Sequence, residues 1–320
     1  MTAYRIVCQP NSELTSLLIS LGFPLPLVIF MTWPTKKPSS FVFAVADSIG
    51  KILKNRELEK TDIAGIGIGV PGFVNKDGVV HNLTNIGGWR NFPLKAKMQK
   101  RSKIPTAIDN DANVMGLAEA MFGAAKKIKN AVCITLGTGV GGAIIIDGRL
   151  YRGQNFFAGE LGHMPINKVG PRCRCGGLGC LEVYVGNNYL VKNFVKKIKL
   201  AKTKSLVTKL VSGDLSKITP QILSDAARRK DRLAILTWRE AGENLGIALS
   251  GVVNLLNPAA IIIGGGVSGA GAILFSSIKN TIKKRAIKLL VRDVKIVKAR
   301  LGSDAGVVGA AYLAFMEALK

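Results

Sequence analysis

Between His163 and Cys180 the chain must fold back tightly on itself. Three of its five cysteines, Cys173, Cys175 and Cys180, fall within eight residues, and His163, one of only two histidines, lies just upstream. Three thiolates and an imidazole make a soft, closed, tetrahedral donor set of the type that a structural Zn²⁺ prefers. Gly176, Gly177 and Gly179 let the backbone curl until the three sulfurs converge. A disulfide is disfavoured, because cysteines separated by one residue pair badly and a third thiol would be left over. The expected product is a zinc knuckle built on His163, Cys173, Cys175 and Cys180.

Around this knuckle the pattern alternates between strand and helix. Apolar residues at Phe41, Val45, Ile49, Ile52 and Leu53 form a helical stripe over 41–58. Residues 63–70 read as a buried strand running into the turn Pro71-Gly72, and 74–85 as short strands about a Lys-Asp-Gly turn. A helix over 92–101, a strand over 105–108 and a helix over 111–122 follow. A second series has strands at 131–136 and 141–146 and helices at 184–199, 219–229 and 233–256. It closes with a strand at 260–263, a helix at 270–285, a strand at 294–299 and a helix at 305–319. Such alternation predicts an α/β architecture with mixed sheets. At 320 residues the chain is long enough for two compact domains.

Two glycine clusters end strands. Gly137-Thr138-Gly139-Val140-Gly141-Gly142 joins two strands, which excludes a dinucleotide fingerprint, and it lacks the Gly-Lys-Ser/Thr ending of a P-loop. Such a hairpin still aims backbone N–H groups and the Thr138 hydroxyl at phosphate oxygens. Gly264-Gly265-Gly266 closes a strand and precedes a helix, where an anion is also favoured. Two such loops predict nucleotide binding. In Asn110-Asp111-Ala112-Asn113 a strand meets a helix, so Asp111 reads either as a helix N-cap or as a carboxylate with chemistry to do.

Gly159-Glu160-Leu161-Gly162-His163 followed by Cys-x-Cys-Gly-x-x-Gly-Cys-Leu-Glu resembles the zinc signature of the ROK family of repressors, open reading frames and sugar kinases. The glycine hairpin with Asp147-Gly148-Arg149-Leu150-Tyr151-Arg152-Gly153, and the Asn-Asp-Ala-Asn motif, carry the same resemblance, from about residue 34 to the C-terminus. It implies a two-lobed actin-like (ribonuclease H-like) ATPase fold with a cleft between its lobes. The lobes would be 1–114 completed by 304–320, and 115–303. It further implies ATP-dependent phosphorylation of a hexose at its 6-hydroxyl, glucose foremost, with Mg²⁺ accompanying ATP and Zn²⁺ structural. N-acetylmannosamine, N-acetylglucosamine or fructose are the close alternatives.

In that reading Asp111 is the general base, and Gly72, Asn85, Asn110, Glu160, His163 and Glu182 meet the sugar. Gly137, Thr138, Gly139, Gly264, Gly265 and Gly266 hold the nucleotide. Asp109 stands where many relatives carry Glu. The resemblance leans to a homodimer.

It fails at the start. The family's first phosphate loop, Asp-x-Gly-Gly-Thr, is not in the sequence, and residues 15–33 form an apolar run with Pro24 and Pro26 at its centre. The prolines argue against a membrane span, and the start lacks the basic region and cleavage site of a signal peptide. A foreign, poorly packed N-terminus from an altered start or reading frame is the expectation, with sugar bound better than phosphate is transferred. That loss keeps a non-catalytic sugar sensor as the rival function. The net charge of +25 admits a third, a DNA-binding regulator. The lysine runs carry no interleaved aromatics and the chain has no room for an added helix-turn-helix domain, so no nucleic acid is expected. Five cysteines, three of them committed to metal, fit a reducing cytoplasm.

Overall fold

The computed structural model describes residues 4–7, 25–31, 37–55, 57–83, 86–201 and 205–319. They form two compact units, one comprising 1–123, 150–159 and 303–320, the other 124–149 and 160–302.

The first unit is built on a four-stranded sheet in the order β1 (Tyr4–Val7), β2 (Leu25–Met31), β3 (Ile63–Val70), β6 (Thr106–Asn110). β1 runs antiparallel to β2, and β2, β3 and β6 run parallel. A small hairpin, β4 (Gly72–Val74) with β5 (Val80–Leu83), follows β3. The helices are α1 (Pro38–Asn55), α2 (Leu94–Ser102), α3 (Asp111–Met121) and α11 (Ala305–Ala318).

β3 is buried along its whole length because both of its faces are covered. Its sequence alternates isoleucine and glycine. Ile66 and Ile68 join the α1 stripe of Phe41, Val45 and Ile49 in one core. On the other face α11 comes so close that a Cβ on Gly67 would lie 1.8 Å from the Ala310 carbonyl oxygen. The glycines are there to let a helix lie directly on the sheet.

α11 also packs on α3, with Val114, Leu117, Val307, Ala310 and Leu313 in one cluster. This shared core keeps the whole of α3 in the first unit, so the division falls after residue 123 where the sequence suggested 114. Residues 150–159 return to the first unit as well. The opening segment departs from expectation too. Tyr4–Val7 and Leu25–Met31 pair with each other and continue into β3, so they belong to the sheet and are not foreign to it. Of the two prolines of the apolar run, Pro26 lies within β2, while Pro24 falls outside the described residues, as do Asn85 and the whole stretch between β1 and β2.

The second unit has a five-stranded mixed sheet in the order β11 (Lys295–Lys298), β10 (Ala260–Gly264), β7 (Ala131–Leu136), β8 (Val140–Ile146), β9 (Arg149–Tyr151). β11, β10 and β7 are parallel, and β8 turns back antiparallel on β7. Its helices are α4 (Glu182–Val185), α5 (Asn187–Ala201), α6 (Leu206–Leu210), α7 (Pro220–Arg228), α8 (Arg232–Leu256), α9 (Ala272–Arg285) and α10 (Lys288–Val291). Trp238 and Phe194 sit at the centre of the core between sheet and helices. α8 and α9 approach closely at Gly242 and Gly246, where a Cβ would meet Ser277 and Thr281. Among the described residues no helix is long and apolar enough to cross a membrane.

Candidate functional site

In the first unit the chemistry gathers where β6 passes into α3. Asn110 caps the helix, its Oδ1 accepting from the amides of Ala112 at 2.9 Å and Asn113 at 3.2 Å. Its Nδ2 donates to the Gly72 carbonyl oxygen at 3.1 Å. Of the two sequence readings of Asp111, the structure removes the cap: that role belongs to Asn110, and Asp111 is the first residue inside the helix. Asp111 Oδ1 accepts from the adjoining Ala112 amide at 2.9 Å. Burial pushes its carboxyl above the ordinary value of 3.8, against backbone N–H donations from Ala112 and its own amide. A half-buried carboxylate with a raised pKa and, among the described residues, no salt bridge is suited to taking up a proton.

Gly72 is required by packing, since a Cβ there would lie 2.2 Å from the Asn82 carbonyl oxygen. Next to this junction lies a pair of residues, Asp109 and Arg152, to which the sequence reading gave no role in the site. Asp109 is almost fully buried and accepts from the Asn110 amide at 2.7 Å and from Asn113 Nδ2 at 2.9 Å. Arg152 Nε donates to its other oxygen at 2.8 Å. The sequence signals were that Asp109 stands where many relatives carry Glu and that Arg152 lies inside a family motif; nothing in the spacing linked the two.

In the second unit the cysteine knuckle forms as expected. His163 Nδ1 lies 3.7 Å from Cys173 Sγ, and the Cys175 and Cys180 sulfurs are 3.7 Å apart. One donor atom from each of His163, Cys173, Cys175 and Cys180 lies within 4.8 Å of all the others. Zn–S bonds of about 2.3 Å in a tetrahedron separate two sulfurs by about 3.8 Å, so the donors fit the ion. Burial, reinforced by the neighbouring Cys175 and Cys173 sulfurs, pushes the Cys180 thiol up to about 12. A divalent cation supplies the charge needed to hold three thiolates this close.

The backbone explains the glycines. Gly176 and Gly179 have φ of 97° and 63°, and a Cβ on Gly179 would lie 1.9 Å from the Asn167 carbonyl oxygen. The second ring nitrogen of His163 faces Glu160 Oε2 at 3.7 Å. A carboxylate behind a ligating imidazole fixes its orientation.

The knuckle and the glycine hairpin are one assembly. Glu182 opens α4 directly after Cys180-Leu181, and its Oε2 accepts the Val140 amide at 3.0 Å. Its Oε1 lies 4.0 Å from Cys173 Sγ. A Cβ on Gly139 would lie 2.5 Å from the same carboxylate, and one on Gly162 would lie 2.2 Å from the Val140 carbonyl oxygen. Enlarging Gly162 would push the Val140 backbone away, whereas at Gly139 the Glu182 carboxylate would have to swing aside.

The second glycine cluster sits beside the hairpin. Gly264 pairs with Thr135 on the parallel strand β7, whose end at Leu136 starts the hairpin. Gly265 has φ of 83° and lies against the Leu136 backbone. Both clusters therefore occupy the C-terminal edge of neighbouring parallel strands, where open α/β sheets bind their ligands. Gly266 opens a short 3₁₀ turn ending at Ala270, and α9 starts only at Ala272, so these glycines precede a turn and not the long helix itself.

The arrangement matches known proteins over most of its length. The chain is 37% identical over 271 residues to a glucokinase of Halalkalibacterium halodurans, covering 84% of this chain and 81% of that one. It is 34% identical over 265 residues to a xylose repressor of Caldicellulosiruptor bescii, covering 82% of this chain and 65% of the repressor. Among solved structures, a ROK family glucokinase from Streptomyces griseus in complex with glucose and AMPPNP matches with a TM-score of 0.77 at 31% identity. That match covers 90% of this chain and 91% of the other, so the fold is the actin-like ATPase fold of the ROK sugar kinases. The sequence profile described as the ROK family matches residues 34–317. This chain belongs to the ROK family.

Proposed function

We propose that the protein is an ATP-dependent hexose kinase that converts glucose to glucose 6-phosphate. The observation that carries this reading is Asp111, a partly buried carboxylate with a raised pKa and, among the described residues, no salt-bridge partner, set at a capped strand–helix junction. In this reading Asp111 accepts the proton of the sugar 6-hydroxyl as that oxygen attacks the γ-phosphorus of ATP. Asn110 keeps one amide hydrogen free for a neighbouring hydroxyl after its bond to Gly72. Glu160 and His163 Nε2, held side by side, suit a second pair of hydroxyls. Glu182 would reach the sugar through the lone pairs left by the Val140 amide.

The hairpin at Gly137, Thr138 and Gly139 and the cluster at Gly264, Gly265 and Gly266 would take the phosphates and the adenosine end. Mg²⁺ arriving with ATP supplies charge neutralisation at the transferring phosphoryl group. His163, Cys173, Cys175 and Cys180 would hold Zn²⁺ as scaffolding for the loops around it. The intended setting is the reducing cytoplasm.

The test is a coupled kinase assay across glucose, fructose, N-acetylglucosamine and N-acetylmannosamine, run beside calorimetric titration of each sugar. Turnover with glucose preferred is the expected result. The 34% identity to a xylose repressor favours a second reading, a sugar sensor without transfer. Tight sugar binding with no phosphorylated product would establish that reading and end the first.

Thr138→Ala separates the roles of the two ligands. An exposed hydroxyl that donates to a phosphate contributes about 1.5–3 kcal/mol, so ATP affinity should fall about tenfold or more while glucose affinity stays level. Equal weakening of both ligands would mean that the hairpin only supports the fold. Gly139→Val is a poorer probe, because its side chain would collide with the Glu182 carboxylate.

A further inference from the structure

After β9 the chain runs through a closed loop at 152–159 that belongs to the first unit. The Ala158 amide donates to the Arg152 carbonyl oxygen at 3.0 Å, and Gly153 at the bend has φ of 70°. Phe157 stands edge-on to Phe73 at 5.3 Å and to His81 at 5.4 Å, which fixes the loop against the β4–β5 hairpin. Phe156 is held at φ of 69°, a conformation that a bulky residue adopts only when its surroundings compel it. Its ring centre lies 5.7 Å from the guanidinium carbon of Arg152, whose Nε donates to Asp109. Such strain points to a position with a task.

From this juxtaposition we propose that Arg152 is a positioning residue for phosphoryl transfer, acting on Asp111 through Asp109. The inference rests on the reading of Asp111 as the base. Each link is short. Arg152 Nε holds Asp109 Oδ2 at 2.8 Å, and Asp109 Oδ1 holds both the Asn110 amide and Asn113 Nδ2. Those two residues flank Asp111, one on the last position of β6 and the other in the first turn of α3.

Asp109 also decides which way the Asn113 amide faces, since Asn113 Nδ2 is the group that donates to its Oδ1. Releasing Asp109 from Arg152 would let the strand end and the helix start drift apart and carry Asp111 with them. A reacting group displaced by about 1 Å costs about a hundredfold in rate without loss of substrate affinity. The Phe156 ring keeps the guanidinium against Asp109, which gives the strained backbone a function.

The experiment compares Arg152→Gln, Arg152→Lys, Asp109→Asn and the Arg152→Gln/Asp109→Asn pair with the parent and with Asp111→Asn, all assayed below their measured melting temperatures. For Arg152→Gln, kcat is expected to fall about 10- to 100-fold while the KM for glucose stays within about threefold of the parent's. Arg152→Lys, which keeps the charge and a donor, should recover most of that loss. The double variant should be no slower than either single one, because both cut the same link.

A folded Arg152→Gln enzyme with parental kcat overturns the proposal. So does a raised KM at constant kcat, which would make Arg152 a sugar contact, and so do additive losses in the double variant. Turnover by Asp111→Asn at the parental rate, or a parent without turnover, overturns the base reading first and this inference with it. Loss of activity in Asp111→Asn beside an unaffected Arg152→Gln removes this inference alone.

Discussion

Asp111→Asn should lower turnover by about 10²- to 10⁴-fold, the range that a positioned general base contributes, while the protein stays folded. The substitution is nearly isosteric, and Asn can still accept the Ala112 amide that Asp111 accepts at 2.9 Å. The helix cap is untouched because Asn110 provides it. Stability should hold or rise. The folded state raises the pKa of Asp111 by burial, so between 3.8 and the raised value the native protein binds more protons than the unfolded chain. Stability from this group is therefore full below 3.8 and declines as pH rises through the folded pKa, and at neutral pH the ionised carboxylate is a cost that Asn removes.

For the parent enzyme, the acid limb of the kcat profile should fall above the ordinary carboxylate range, and the Asn variant should lack it. Turnover and thermal unfolding measured together check both statements. A variant at parental rate would reduce Asp111 to an ordinary first-turn residue.

Removing the metal should have the largest effect on stability. Purified protein is expected to carry about one zinc per chain, as a closed four-donor site holds it. Stripping it with a chelator, or replacing Cys175 by Ser, should lower the melting temperature by about 10 °C. An ion at a thousand times its Kd contributes about 4 kcal/mol, and a domain of this size shifts by about 2–4 °C per kcal/mol.

Ligand affinity should fall with it. Glu182 links the knuckle to the Val140 amide, and Gly162, beside His163, leaves room for the Val140 carbonyl, so a loosened knuckle frees the hairpin. Glu160 also loses the imidazole it faces. Elemental analysis, melting curves and glucose titration of the stripped protein test the chain of reasoning. A metal-free protein with unchanged melting and unchanged glucose affinity would refute it.

The sequence carried most of the local structure because local patterns carry their own physics. The stripe Phe41, Val45, Ile49 can only bury one side of a helix, and α1 buries those residues. The knuckle was legible because three sulfurs and an imidazole have few other uses at that spacing, and the structure gathers their donor atoms. The opening strands were not legible. The residues at 4–7 and 25–31 acquire their meaning from pairing with each other and with β3, contacts remote in sequence.

By itself, then, the sequence determined most of the strands and helices after the opening segment, that glycines close two of the strands, and which four residues gather as a metal-donor set. Those are decided by periodicity, turn chemistry and ligand type within a few residues. Only the tertiary structure decided that Asn110 and not Asp111 caps α3, that Glu182 ties the knuckle to the hairpin, and that Arg152 locks Asp109 from 43 residues away. Each of these depends on where a carboxylate finds its donor once the chain has folded. A carboxylate buried in the fold takes the nearest donor in space, and spacing along the chain does not say which that will be.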